Sequence, residues 1–270
     1  MESIKSPNDI KKLNKNEIIG NPQIVNSSIN FHGENNILYC EGNVKLSGAQ
    51  IHFKGDNSLI YLSSSMNNQY PLDLYVYNRC TVFFGRDNYM SYPIHINVQE
   101  NQNVFVGSDC SIGSGVNIRT SDAHPMYSAK TKQRVNFPKS VYIGDHVWVG
   151  HLAYISKGAH LGSGSIVDNY AFVPSNARVS SNTLNIGNPI QINQKDVFFT
   201  KEFISKYTAD DTLNSKDYKS NIYEYEFVNK ETLDINRIDN IIKGLSIDDR
   251  LDFIQKLFVR NKRKNRFFIK

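Results

Sequence analysis

An all-β solenoid is the fold class that the 270-residue sequence predicts, and three observations predict it. First, aliphatic side chains recur every six positions without a gap, at Ile143, Val149, Ile155, Leu161, Val167, Val173 and Val179. A slim residue follows each of them four places later, at Val147, Ala153, Ala159, Ser165, Ala171, Ala177 and Thr183, with polar residues or glycine between. Second, the same phase runs earlier through Val106, Ile112 and Ile118, with Cys110 and Val116 in the slim places. Third, the upstream segments NNILYCEG, KLSGAQIHF, NSLIYLSSS, LDLYVYNRCTVFFG and YPIHINVQ alternate apolar and polar residues, rich in β-branched and aromatic side chains. A six-residue period matches neither the 3.6-residue stripe of a helix nor an amphipathic strand running on without turns. One short strand and one corner per hexad, three hexads to a coil, make a triangular prism whose inward aliphatic residues stack from coil to coil.

Taken in order, residues 1–35 read as a separate N-terminal segment and residues 36–190 as the solenoid, with regular hexads over 104–184. The segments before 104 read as looser coils of the same stack, and their many asparagines suit left-handed corners. A separate β-sandwich over residues 35–100 is the alternative on pattern grounds. Between Ile118 and Ile143 the phase breaks, 25 residues standing where four hexads need 24, so a loop over 120–140 leaves the stack. Loops on a rigid scaffold are where function concentrates, and this one delivers Asp122, His124, Tyr127 and Arg134. The period stops at Gly187–Pro189, and residues 191–270 form an extension with helices and a basic tail. Its spacing turns helical from Ile235, and Ser246 followed by Asp249 caps the segment IDDRLDFIQKLFVRN. The extension is expected to pack on the solenoid, with its open end as the candidate surface.

Composition narrows the function classes. With 40% hydrophobic and 21% charged residues, no stretch approaches the run of about 18 apolar residues that a membrane span needs. The start of the chain carries charges where a secretory signal has an apolar run, and Cys40, Cys80 and Cys110 have neither paired nor metal-type spacing. Those features place the chain in the cytoplasm, with the inner face of the membrane as a variant. The net charge of +5 is concentrated in the last eleven residues, RNKRKNRFFIK, which hold six basic side chains. That distribution argues against a nucleic-acid surface and leaves a tail open to a polyanion, an anionic lipid or an acidic glycan, or else a solvated helix end.

The landmarks SDAHPMY, RVN, IGDHVWVG and GNP follow one another in the sequence beside the hexads. In that order they resemble the hexapeptide-repeat acyltransferases, and within them the cytoplasmic O-acetyltransferases that modify sugars and bacterial capsular polysaccharides. The resemblance implies a left-handed parallel β-helix, acetyl-CoA as the acyl donor with no metal, and a saccharide acceptor. It also implies a homotrimer with acyl sites between neighbouring solenoids. It makes His124 the catalytic base and sets Trp148 at the border of the site, with Asp122, Tyr127 and Arg134 on the substrate side. The family's cofactor-lining positions fall on Gly150, His151, Asn169 and Pro174 beside Trp148. Where relatives carry basic residues after the Gly-x-Pro corner this chain has Gln191 and Gln194, which leaves Lys195 and Lys157 as candidate phosphate ligands.

The chemistry implied is acetyl transfer from a thioester to a sugar hydroxyl, which needs a base about 2.6–3.2 Å from the hydroxyl proton's oxygen. The tetrahedral oxyanion needs a donor, a role open to a corner backbone N–H or to the Trp148 indole N–H. Coenzyme A leaves as a comparatively stable thiolate, so neither strong acid assistance nor a covalent nucleophile is required. Three other readings share the sequence: an N-acetyltransferase acting on an amino-sugar nucleotide, a non-catalytic glycan-binding scaffold, and a zinc site drawn from His124, His146, His151 and His160. Zinc is disfavoured because, in the resembling γ-class carbonic anhydrases, the histidine five places after the position of His151 falls here on Ser156.

Overall fold

The computed structural model describes residues 1–65, 69–90 and 92–270 and is a parallel β-solenoid of triangular section. The first face is an eight-stranded sheet running from Glu2–Ile4 through Ser28–Phe31, Ile94–Val98 and Asn117–Arg119 to Phe172–Val173. The second face is also eight-stranded, from Glu17–Ile19 through Thr81–Phe84, Asn103–Val106 and Val141–Ile143 to Arg178–Val179. The third begins with the pair Gln23–Val25 and Lys45–Ser47 and continues as a six-stranded sheet holding Ser111–Ile112, Trp148–Val149, Ile166–Val167 and Thr183–Ile186. Pairing between coils is parallel, apart from Glu2–Ile4 at one end and Gln191–Lys195 at the other.

The coil length changes along the prism. Upstream neighbours are 22 positions apart, as in Asp56 and Asn78, whereas beyond the loop they are 18 apart, as in Asp145 and Ser163. The longer coils explain why strict hexads are legible only over 104–184. Their extra residues build corners, and one edge carries Asn35, Asn57, Arg79 and Asn101 with φ of 54, 57, 54 and 56°. Asparagine is among the few residues that enter this left-handed region at low cost. Asn35 Nδ2 also donates to Asn57 Oδ1 at 2.6 Å, continuing the ladder outside the backbone.

Strands of the prism begin well before residue 36, because Glu17–Ile19, Gln23–Val25 and Ser28–Phe31 each pair in parallel with the coil above. Residues 1–35 are therefore part of the stack rather than a segment apart. The alternative of a sandwich over 35–100 is excluded by the same continuous parallel pairing.

Two apolar clusters hold the molecule together. The first is the prism interior, where Ile118, Ile155 and Val173 lie in register and fully buried. Truncating one such stacked isoleucine to alanine costs about 2–5 kcal/mol. The second lies outside the second face, whose strands Leu59–Leu62, Thr81–Phe84 and Asn103–Val106 are buried on both sides. Their outward residues form a ring column, Tyr39, Tyr61, Phe83, Phe105 and Tyr142, ending on His160. The helices Ile235–Gly244 and Ile247–Ile254 cover it with Ile238, Ile242, Ile247 and Ile254, while Phe258 stacks on Phe105 at 4.7 Å. The helices of the extension thus cover one flank of the prism, because that flank carries the aromatic column, while its first strand, Gln191–Lys195, pairs with the last strand of the third face at the prism's end.

His160 closes the column at 8% exposure, and burial, followed by the nearby Arg178, pulls its pKa down to about 4. Since the unfolded ring titrates near 6.5, the unfolded chain binds more protons between the two values, and stability falls as pH drops through that window. The full loss, about 3 kcal/mol, is reached below about pH 4. His160→Gln is therefore expected to remove this part of the acid limb, and unfolding curves of both proteins that fall in parallel from pH 6.5 to 4 would contradict it.

Candidate functional site

The phase break expands the coil to a 37-residue spacing, as between Ser108 and Asp145, and puts the insertion on the edge between the first and second faces. Lys139 N donates to Thr120 O at 2.9 Å, closing the root of the loop. At its tip Tyr127 and Arg134 form an antiparallel bridge.

Asn136 organises everything between. Its buried side chain donates to His124 O and to Asp122 Oδ2, both at 2.8 Å, and accepts from Met126 N at 2.7 Å. The backbone is therefore fixed at His124 and two residues beyond, while the exposed imidazole has no hydrogen-bond partner among the described residues. Lys157, itself buried, donates to Asp122 Oδ2 and to Asn136 O from the coil above. That ammonium, and after it Asn136, holds the Asp122 carboxyl below the usual carboxylate range. From the coil below, Glu100 takes Arg134 in a two-point pair at 2.6 and 2.9 Å.

These contacts show how three of the expected residues are held within the chain. Lys157 is engaged by Asp122 and the loop backbone. Asp122 faces Lys157 and Asn136, with no hydrogen bond to His124. Arg134 is paired with Glu100, which ties the loop to the coil below. Tyr127 does stand free, its side chain exposed at the hairpin beside Met126, Val135 and Phe137.

Trp148 lies on the third face, at 42% exposure, between Ser111 below and Ile166 above. After Gly187–Pro189 the chain doubles back as Gln191–Lys195 and then descends along this face as a strap. Strap residues 199–205 and Trp148, Tyr89 and Ser111 border a groove of about 590 Å³. Phe199 meets Trp148 at 5.6 Å, Phe203 meets Tyr89 at 5.3 Å, and Lys201 Nζ reaches Asp109 Oδ1 at 2.7 Å.

His146 locks the strap. It occupies a left-handed corner at φ 52° and is 1% exposed, with Phe199 and Tyr223 stacked on its two faces at 4.1 and 4.0 Å. Nδ1 lies 2.8 Å from Asp109 Oδ2 and Nε2 2.8 Å from Phe199 O. Against the upward push of burial, hydrogen bonds from His146 and Lys201 hold the Asp109 carboxyl below its ordinary range. His146→Ala is expected to release Phe199 and shift the emission of Trp148, the single tryptophan, to longer wavelength. Emission unchanged in that variant would mean the strap is held by other contacts.

The expected cofactor residues divide between two edges. Gly150, His151 and Asn169 stack on the edge between the third and first faces, where Asn169 Oδ1 accepts from His151 N at 2.7 Å. Pro174 and Lys157 lie on the opposite side of the first face, at the edge that carries the loop. The hexad count agrees with this division: His151 and Asn169 are one 18-residue coil apart, whereas Lys157 and Pro174 stand one hexad further round than His151 and Gly150. Gly150 has a packing reason of its own, since a Cβ there would come within 2.4 Å of Asn169 N. Lys195 is exposed at the far end of the third face, paired with Thr183.

The four histidines do not converge: His124 is on the loop, His146 and His151 occupy different edges, and His160 accepts from Arg178 on the second face. No cluster of three metal-ligating side chains occurs among the described residues. Sequence reasoning missed Asn136 and the strap clamp. Asn136 had a signal, as the last residue of RVN; the clamp had none, because Phe199 is 53 residues from His146.

No known family's sequence profile matches the chain. A 39-residue stretch is 46% identical to a polysialic acid O-acetyltransferase of Neisseria meningitidis, spanning 14% of this chain and 18% of that relative. The crystal structure of the polysialic-acid-specific acetyltransferase NeuO aligns with a TM-score of 0.63 at 28% identity, over 74% of this chain and 91% of that one. That of the polysialic acid O-acetyltransferase OatWY aligns at 0.57 and 23% identity, over 74% and 94%, a likeness of fold. In its left-handed parallel β-helix and in the order of its landmarks, the chain resembles the hexapeptide-repeat acyltransferases, with polysialic acid O-acetyltransferases among its structural neighbours.

Proposed function

We propose that this chain transfers an acetyl group from acetyl-CoA to a hydroxyl of a bacterial surface saccharide, an acidic capsular polysaccharide of the polysialic acid class, with His124 as general base. The observation that carries the proposal is the Asn136 clamp, which spends a buried amide on fixing the backbone around His124 and leaves its imidazole unengaged. A base must be held while its reactive nitrogen stays open to the substrate. The neighbours' acceptor supports the saccharide class. An exposed indole beside a partly apolar groove suits the thioester side of the reaction, where the Trp148 N–H is a candidate donor to the oxyanion. His124 Nε2 or Nδ1 takes the hydroxyl proton as the oxygen attacks the thioester carbon, and coenzyme A departs as thiolate.

His124 and Trp148 sit on different sides of the prism. The contacts that tie the loop to other coils, with Gln99 and Glu100 below and Lys157 above, all lie at the edge between the first and second faces, whereas Trp148 is on the third. Met126, Tyr127, Val135 and Phe137 on the loop, and Phe203 and Ile204 on the strap, are exposed by 52–72%. A second copy that brings its loop to the Trp148 groove would join the two halves and cover those side chains, and a closed ring of three does so at every interface. Inactive His124→Ala and Trp148→Ala proteins, dissociated and reassembled together, are therefore expected to regain transfer. Mixed assemblies as inactive as either parent would place both residues in one subunit's site. No helix among the described residues is long and apolar enough to cross a membrane. The site's location in the cytoplasm, and contact with the membrane's inner face, belong to this proposal.

A further inference from the structure

Between the root of the loop and the helix Ile235–Gly244 runs a second groove, of about 480 Å³, on the second face. Lys139, Arg178 and Lys243 border it, and the ring column supplies Tyr142 and His160 as its floor. Asp239 is the single carboxylate among the bordering residues. Its Oδ1 accepts from Ser140 Oγ at 2.6 Å, Asn103 Nδ2 at 2.8 Å and Tyr142 OH at 3.1 Å, and its Oδ2 lies 3.4 Å from Lys243 Nζ. Three cations thus face one carboxylate, which offsets only the charge of Lys243.

The remaining groups are donors as well. Arg178 Nη1 lies 2.9 Å from His160 Nδ1, and because a guanidinium only donates, Nδ1 is the acceptor and the neutral ring carries its proton on Nε2. No partner for that Nε2–H occurs among the described residues, and His160 borders the groove. Asn176, Asn236 and Asn240 add side-chain amides. A smaller groove of about 330 Å³ continues along the same edge, shares Gln102 and Lys243, and adds Arg79. Its carboxylate, Glu100, is paired with Arg134. A run of cations and amide donors with its acidic groups neutralised internally fits a ligand with repeated carboxylates, and extension over two grooves fits a chain of sugars better than a single ring.

We propose that this groove binds a segment of the acidic saccharide acceptor, its carboxylates met by Lys139, Arg178 and Lys243, and so holds the polymer against the root of the loop that carries His124. The inference rests on the acceptor class proposed above. It adds a subsite on the flank built by the helical extension, remote from Trp148.

The test is binding of polysialic acid chains, without acetyl-CoA, to the full-length protein and to Lys139→Glu/Arg178→Glu, with Lys139→Glu/Lys243→Glu as a second variant that leaves the His160–Arg178 contact intact. Affinity is expected to fall at least about tenfold at low salt, with a shallower salt dependence, since surface charges are screened within about 10 Å at 0.1 M. In turnover, KM for the polymer should rise with kcat unchanged, and transfer to a short sialic acid acceptor should be unaffected. Unchanged polymer affinity and KM in both variants would overturn the inference. So would a rise in KM for acetyl-CoA alone, which would assign the groove to the nucleotide phosphates. Because binding is read without turnover, polymer bound through these residues by a protein that transfers nothing would support the groove and sink the transferase reading. Transfer to polymer that proceeds unaltered in both variants would do the reverse.

Discussion

His124→Ala is expected to lower kcat for acetyl transfer by about 10²–10⁴-fold, the contribution of a positioned general base. The melting temperature should stay near that of the parent, because exposed substitutions away from packing features fall within about 0.5 kcal/mol. The clamp explains the separation: Asn136 holds His124 through its backbone carbonyl, which alanine keeps, and the imidazole makes no hydrogen bond among the described residues. Stacked coils do not depend on the loop. Asn136→Ala is the instructive contrast, since it removes the bonds to Asp122, His124 and Met126 and should lower kcat with His124 still present. A His124→Ala protein that unfolds, or that retains full turnover, would contradict the assignment.

Arg266→Ala is expected to cost about 3–5 kcal/mol of stability, the price of leaving a buried partner charge alone. Arg266 is 4% exposed and holds Asp145 through two bonds of 2.7 Å, Nε to Oδ2 and Nη2 to Oδ1. Its third nitrogen donates to the carbonyls of Phe258 and Asn261, at 2.6 and 2.7 Å. Asp145 in turn accepts from Ser108 N at 2.7 Å, so the pair ties the end of the chain to two coils. Around it Phe267 stacks on Phe258, its carbonyl accepts from Ser163 N, and Ile269 bonds Ser181 through the backbone. The basic tail read from RNKRKNRFFIK is therefore partly an anchor. Removing residues 260–270 should destabilise the flank, where the charge count alone predicts an innocuous trim. Thermal unfolding compared between the parent, Arg266→Ala and Asp145→Asn checks this, and a loss under 1 kcal/mol would mean that the pair is solvated in solution.

The regular coils were legible because each hexad repeats one spatial environment, so Ile143, Val149 and Ile155 report the prism wherever counting begins. Upstream the same environment returns after 22 residues, and strands such as Leu59–Leu62 lose their alternation because both faces are buried. Only pairing shows that Phe83 and Phe105 await Phe258, more than 150 positions away. For the proposed site, the loop that carries His124 and the outward position of Trp148 follow from local motifs and phase. Direction around the prism was legible too, since Lys157 and Pro174 stand one hexad further round than His151 and Gly150 and so flank the loop. Ionic partners were hidden. Asp122 with Lys157, Arg134 with Glu100 and Arg266 with Asp145 are joined across coils, and no spacing within one segment encodes them.

The most direct measurement is transfer of radiolabelled acetyl from acetyl-CoA into polysialic acid by the parent protein, with mild base treatment of the product and His124→Ala as the control. Label that enters the polymer, leaves it under mild base as an ester does, and is absent with His124→Ala is the predicted result. Label that survives the base treatment as an amide, or that enters equally with the variant, would contradict hydroxyl acetylation through His124.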